Sequence, residues 1–363
     1  MNRRLPHRAR SVAAASAIAA VSLGIVFVAQ GAGASSEGFR VTPLVSDGGV
    51  PAPHHDATLV NAWGLAASPT GPWWTGNEAR GTSTLYSSSG QKQLLTVSVP
   101  GGPTGVAYYG GSSFLVHGDG RSAPARFVYA CEDGNIRAWT PTVPTNWSAA
   151  AEVTVDQTGD GAIFRGVAFA HGLLYATDFH NDRVDVFNGA WRRVRLAGSF
   201  DDSTIPSWYA PDGIYAAGDH IFVTYVYRAP VDGNDGPTGG FVDEFDLQGK
   251  LVARVTHAGL DEPWGLALAP TSFGRLGGDL LVANFGNGEI AAYRSQHGRW
   301  TPDGMLDGTN GKPLVLDGVW GIAFGNGGLA GPRDTLFAAA GPHRWYGSSE
   351  LAVHGLVEAV AQA

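Results

Sequence analysis

Trp63-Gly64-Leu65-Ala66, Trp264-Gly265-Leu266-Ala267 and Trp320-Gly321-Ile322-Ala323 repeat one phrase, a large or polar residue, Gly, and two apolar residues. The same phrase stands at Thr104-Gly105-Val106-Ala107, Arg165-Gly166-Val167-Ala168 and Asp212-Gly213-Ile214-Tyr215. The six glycines are 41, 61, 47, 52 and 56 residues apart, a spacing that accommodates one four-stranded sheet and its loops per copy. In an extended strand Trp63 and Leu65 share one face, while Gly64 and Ala66 share the other. One bulky and one bare face suit the innermost strand of a propeller blade, where neighbouring sheets approach closely. The expected fold is therefore all-β, a six-bladed β-propeller.

Working outward, a second strand follows each phrase, for example at Phe127-Val128-Tyr129-Ala130 and Leu280-Leu281-Val282-Ala283. Third strands alternate at Asn135 to Trp139, Arg183 to Phe187, Phe241 to Phe245 and Glu289 to Tyr293. Fourth strands carry the weakest pattern. Phe39 to Val45 reads as a strand ahead of the first phrase, and pairing it into the last blade would close the ring and remove two sheet edges.

Residues 1–34 have the parts of a secretory signal: Arg3, Arg4, Arg8 and Arg10, an uncharged run from Ser11 to Val28, and Ala32-Gly33-Ala34 as a cleavage site. The expected domain organisation is this signal followed by one propeller over 35–363, secreted, with an uncleaved anchor as the competing reading of the apolar run. Removing the four Arg leaves 20 basic against 32 acidic side chains, a formal charge of −12. Such a chain is a poor partner for nucleic acid or an acidic membrane. The single Cys131 forms no internal disulfide and reads as a core residue.

The phrases Leu59-Val60-Asn61-Ala62-Trp63-Gly64-Leu65-Ala66, Tyr175-Ala176-Thr177-Asp178-Phe179, Val184-Asp185-Val186-Phe187, Pro263-Trp264-Gly265-Leu266-Ala267-Leu268-Ala269-Pro270 and Gly318-Val319-Trp320-Gly321-Ile322-Ala323-Phe324-Gly325-Asn326 resemble an uncharacterised bacterial family of secreted proteins. More distantly the chain is similar to NHL-repeat propellers. Some members of the bacterial family end in a Pro-Glu-Pro sorting tail with a membrane helix. The chain ends at Ala363 without one, which implies release. The resemblance brings no reaction with it.

In a propeller the loop entering each inner strand and the turn between second and third strands open on one end of the ring, and such loops usually carry function. Those loops hold His54, Asn61, Arg80, Tyr209, Arg228 and His343 as candidate ligand-binding residues. Two functional readings stand. In the first, the acidic mouth of a binding or scaffold protein takes a small molecule, glycan or protein segment. In the second, a metal-assisted hydrolase, lactonase or lyase holds one Ca²⁺ or other divalent ion with Glu132, Asp178, Glu262 and Asn284. Asp178 and His180, two residues apart on one side of an extended segment, would then form a catalytic pair in which the carboxylate orients the imidazole. Asp-Gly and Asn-Gly pairs in these loops also satisfy ordinary turn chemistry. No Gly-x-Ser-x-Gly elbow, zinc-binding histidine pattern or phosphate-cradling glycine loop is present. Residues Tyr227 to Gly240 form a polar insertion, read as a lid over the mouth or as a solvent-exposed excursion.

Overall fold

Each glycine phrase forms a kinked inner strand. A computed structural model describes residues 38–229, 239–346 and 350–363, with 343–346 and 350–352 as backbone only. The inner strands are Ala62–Ala67, Pro103–Tyr108, Phe164–Ala170, Tyr209–Ala217, Pro263–Leu268 and Val319–Phe324. Every one pairs antiparallel with the strand that follows it in its blade, and every pairing slips register across the phrase. This bulge turns the residue before each glycine out of the regular ladder.

The six sheets form the blades of a ring. Blades one, two, four and five have four antiparallel strands each, whereas blade three has three. Blade six is completed by the N-terminal strand Phe39–Ser46, which pairs along its length with the C-terminal strand Leu356–Gln362. These two strands thus clasp the ring, as the sequence leads one to expect. Two hairpins are additional to the repeat, Leu115–Gly118 with Arg121–Pro124 in blade two and His343–Tyr346 with Glu350–Val353 in blade six. No α-helix occurs among the described residues, and none of their segments is a helix long and apolar enough to cross a membrane. The expected signal, residues 1–34, and residues 230–238 of the expected lid lie outside the described residues.

The glycines decide how closely the blades approach. A Cβ on Gly64 would lie 2.6 Å from the carbonyl oxygen of Thr104, and one on Gly105 2.9 Å from that of Arg165. The series continues from Gly166 to Asp212 at 2.9 Å, Gly213 to Trp264 at 2.0 Å, Gly265 to Trp320 at 2.2 Å, and Gly321 back to Trp63 at 2.5 Å. Each blade therefore lays its bare glycine against the backbone of the next, and the contact returns to its start. Large apolar side chains fill the wedges farther out; between blades five and six, for instance, lie Phe39, Phe273, Leu281, Ile290 and Val360. Cys131 is buried there in the same manner between blades one and two, and burial pushes its thiol up to about 12.

One buried carboxyl makes the fold sensitive to pH. Glu358 in the third strand of blade six is 4% exposed, and its Oε1 has no hydrogen-bond partner among the described residues. Burial, reinforced by Asp317, raises its pKa from 4.5 to about 8. Between those values the folded chain holds a proton that the unfolded chain releases, so this group's contribution to stability falls as pH rises from 4.5 to 8. Glu358→Gln flattens that part of the pH–stability profile and stabilises the protein most above pH 8, as read from urea unfolding at several pH values. A second expectation concerns the ring. Gly213→Ala costs about 3 kcal/mol or more, because backbone must move to admit the methyl, whereas Gly159→Ala, with nothing within 4 Å of its Cβ, changes stability by about 0.5 kcal/mol or less in the same assay.

Candidate functional site

The six bulged residues, Trp63, Thr104, Arg165, Asp212, Trp264 and Trp320, occupy equivalent places around the axis. They divide into an aromatic half and a polar half. Trp63 and Trp320 stack with centroids 3.6 Å apart, and Trp264 meets them edge-on at 5.9 and 6.2 Å. Phe285 stacks on the other face of Trp320 at 3.8 Å. All three tryptophans are buried, so they pack between blades and are not open stacking platforms.

Arg165 crosses the polar half. Its guanidinium is 3.4 Å from Asp212 Oδ1 and 3.6 Å from Glu132 Oε1, lies 3.7 Å over the Phe179 ring, and is 5.7 Å from the Trp63 ring. Thr104 donates its hydroxyl to the Phe164 carbonyl at 3.1 Å. Asp212 is 1% exposed, and burial raises its pKa against the opposing charge of Arg165. Burial likewise raises the pKa of Glu132; Arg165 opposes the rise, while Glu78 and Asp212 add to it. Glu132 Oε2 and Glu78 Oε1 each lie 3.5 Å from where a Gly102 Cβ would stand, so both carboxylates stand beside that glycine. Asn61, held at φ 51°, donates to Glu78 Oε2 at 2.8 Å and accepts from Trp320 Nε1 at 3.2 Å. The chain of contacts runs from the tryptophans through Asn61 to Glu78 and on to Glu132, Arg165 and Asp212.

The residues expected from sequence are distributed differently. Asn61 and Glu132 belong to this network. Asp178 is fully buried; its Oδ1 accepts from the backbone amides of Ile163 and Asn181, its Oδ2 from the Asn181 side chain, and Arg183 pairs with it at 3.0 Å. The carboxylate thus ties the turn between second and third strands. His180 is half-buried beside Gly161, and its carbonyl accepts from the Arg228 guanidinium. Asn284 is also buried, at the end of its second strand, accepting from the Asp261 amide and donating to the Gly259 carbonyl. Glu262, at φ 53°, is half-buried in the neighbouring loop. Among the described residues no group of three or more His, Cys, Asp and Glu side chains is arranged to hold a metal ion. His54 is exposed in a two-residue strand at the outer edge of blade six, and Arg80 is exposed at the end of a 3₁₀ turn. Tyr209 packs edge-on against Phe241 at 4.9 Å. His343 lies in the blade-six hairpin, its side chain outside the described residues.

The pairing of Arg165 with Asp212 is not among the expectations from sequence, although loop position does place Asp212 at the mouth. Their signal lay in the repeat itself: where three copies carry Trp before the glycine, these two carry opposite charges. Below the axial ring, toward the trailing ends of the inner strands, is a cavity of about 560 Å³. Leu65, Val106, Val167, Ile214, Leu266 and Ile322 collar it, one from each blade. The axis therefore holds a cavity lined by apolar side chains and glycine backbone at the end opposite the polar loops.

This architecture defines a six-bladed β-propeller, and solved propellers share it. The soluble aldose sugar dehydrogenase of Escherichia coli superposes with a TM-score of 0.54 at 13% identity, covering 90% of this chain and all of that one. The PQQ-bound aldose sugar dehydrogenase of Streptomyces coelicolor gives 0.52 at 15% identity over 89% and 99% of the two chains. Virginiamycin B lyase of Staphylococcus aureus gives 0.50 at 11% identity over 90% and 100%. At such identities the likeness is one of fold. In sequence, the chain is 30% identical over 301 residues to uncharacterized protein L690 of Acanthamoeba polyphaga mimivirus, covering 78% of each, and 30% identical over 298 residues to R648 of the same virus, covering 78% of this chain and 73% of that one. The chain belongs to the family of these viral proteins. No protein-family model matches it.

The axial pair makes a stability prediction. Arg165→Met strands Asp212 in the interior and costs about 3–5 kcal/mol, and adding Asp212→Asn recovers a large part of the loss. Denaturant unfolding of both single variants and the double variant checks it; additive losses would contradict the coupling.

Proposed function

We propose that this protein is a ligand-binding propeller, secreted by way of residues 1–34, whose polar loop mouth receives a small molecule, glycan or protein segment. The observation that supports binding over turnover is the placement of Arg165 between Glu132 and Asp212. A fixed guanidinium supplies the positive charge that a catalytic cation would otherwise supply to those carboxylates, and Asp178 and Asn284 are engaged in holding turns. A mouth whose charges are mutually balanced recognises a ligand through the groups at its rim, among them the exposed Arg80. The resemblance to secreted bacterial proteins belongs to this reading; the relatives by sequence are viral.

The competing reading, a metal-assisted hydrolase, lactonase or lyase, draws support from Glu78 and Glu132 both standing beside Gly102. Elemental analysis of the dialysed protein, paired with melting curves in chelator and in added Ca²⁺ or Zn²⁺, separates the two. The binding reading expects no stoichiometric metal and an unchanged melting temperature. A stoichiometric ion whose removal lowers that temperature, and which is lost on Glu132→Gln, would favour the metal-dependent reading instead.

A further inference from the structure

Blade three ends one strand early. Its sheet consists of Phe164–Ala170, Leu173–Asp178 and Arg183–Phe187, while every other blade has at least four strands. The chain after Phe187 begins a fourth strand and abandons it. Asn188 donates to the Arg192 carbonyl, Arg193 bridges Phe187, and the Val194 amide donates to the Val186 carbonyl at 2.8 Å. There the ladder stops. Gly198 and Phe200 donate instead to the carbonyls of Gln248 and Gly249, in the outer turn of blade four. Among the described residues, the Val186 amide and the outward amide and carbonyl of Val184 are left without a backbone partner on that edge. An unfinished edge of this kind is a template for another strand.

The departing chain leaves a slot of about 550 Å³ between Arg183–Val186 and residues 193–200. Its apolar lining is Val184, Val186, Val194, Leu196 and Phe200, and its rim carries Arg183, Arg193 and Arg195. Arg183 and Arg193 pair with Asp185, whereas the exposed Arg192 and Arg195 have no ion pair among the described residues. Two unpaired cations beside an open edge stand out on a chain of formal charge −8. The acidic residues past the far end, Asp182, Asp201 and Asp202, line an adjoining cavity that shares Arg183, Ser199 and Phe200 with the slot, and Asp202 is paired with Arg254.

We propose that the outer edge of blade three binds an extended peptide as its fourth strand, one whose side chains alternate between apolar and acidic. The Val184 amide and carbonyl and the Val186 amide, with the Val186 carbonyl already held by Val194, supply the ladder over about 13 Å, four residues at about 3.3 Å each. With period two, the apolar side chains enter the Val–Leu–Phe slot while the acidic ones meet Arg192 and Arg195. This surface lies on the outer rim of the ring and is independent of the mouth.

The test uses a fluorescein-labelled eight-residue peptide of alternating Val and Glu, titrated with the full-length protein and read by fluorescence anisotropy. The expected result is saturable one-to-one binding, with protection of the Val184 and Val186 amides from hydrogen exchange. Arg195→Glu, at an exposed position, weakens binding at least tenfold with its melting temperature unchanged, and N-methylation of alternate peptide amides does the same. A Lys–Val peptide does not bind. Absence of binding up to millimolar concentration would overturn the proposal. Equal binding of the N-methylated peptide would overturn it as well, since charge alone would then account for the affinity. So would concentration-dependent self-association of the free protein that Arg195→Glu abolishes, because the occupant would then be a second copy of this chain.

Discussion

Backbone-to-backbone contact between adjacent inner strands, made through one glycine per blade, is the constraint on which the rest depends. Six sheets converge on an axis, and the space there has no room for a Cβ. The packing contacts farther out are ordinary apolar burial, divided into clusters between successive blades. They stabilise the wedges, but the glycine series fixes the radius at which the wedges meet. Because the last contact, Gly321 to Trp63, joins the sixth blade to the first, the clasp between Phe39–Ser46 and Leu356–Gln362 reinforces a closure that the axis has already made.

The same constraint shapes the site. The bulge that brings glycine close to the next blade also turns the preceding residue toward the axis, so those six side chains must share one small volume. Three tryptophans fill half of it by stacking. The other half is polar, and Arg165 there is surrounded by two carboxylates and an aromatic face. Taking these charges out of water is costly unless they are paired. The result is a polar mouth with committed groups on one side and a cavity collared by apolar side chains on the other.

Much of the fold was legible because the repeat records local needs. Glycine is required at each close approach, alternation follows from the pleat, and Phe39 to Val45 had no partner until the last blade offered one. Blade three's missing strand was not legible, since Arg193-Val194-Arg195-Leu196 alternates like a fourth strand and departs only because blade four's outer turn captures residues 198–200. The site was legible in part. Loop position led to Asn61, which bonds Glu78 and Trp320, and to Glu132, which pairs with Arg165. It led equally to Asp178 and Asn284, whose polar atoms tie turns, because turn chemistry and ligand chemistry draw on the same residue types. Contacts such as Asn61 to Trp320, 259 residues apart, depend on ring closure and have no local signature.

The claim that the glycine contacts join six blades into one ring is most directly tested by native-state hydrogen exchange of the second strands, Trp73–Asn77, Phe127–Cys131, Leu173–Asp178, His220–Tyr227, Leu280–Asn284 and Leu336–Ala340. A closed ring predicts one common opening free energy for the slowest amides of all six, equal to that of global unfolding. A graded series, with blades opening one after another from the clasp as in an open repeat array, would contradict it.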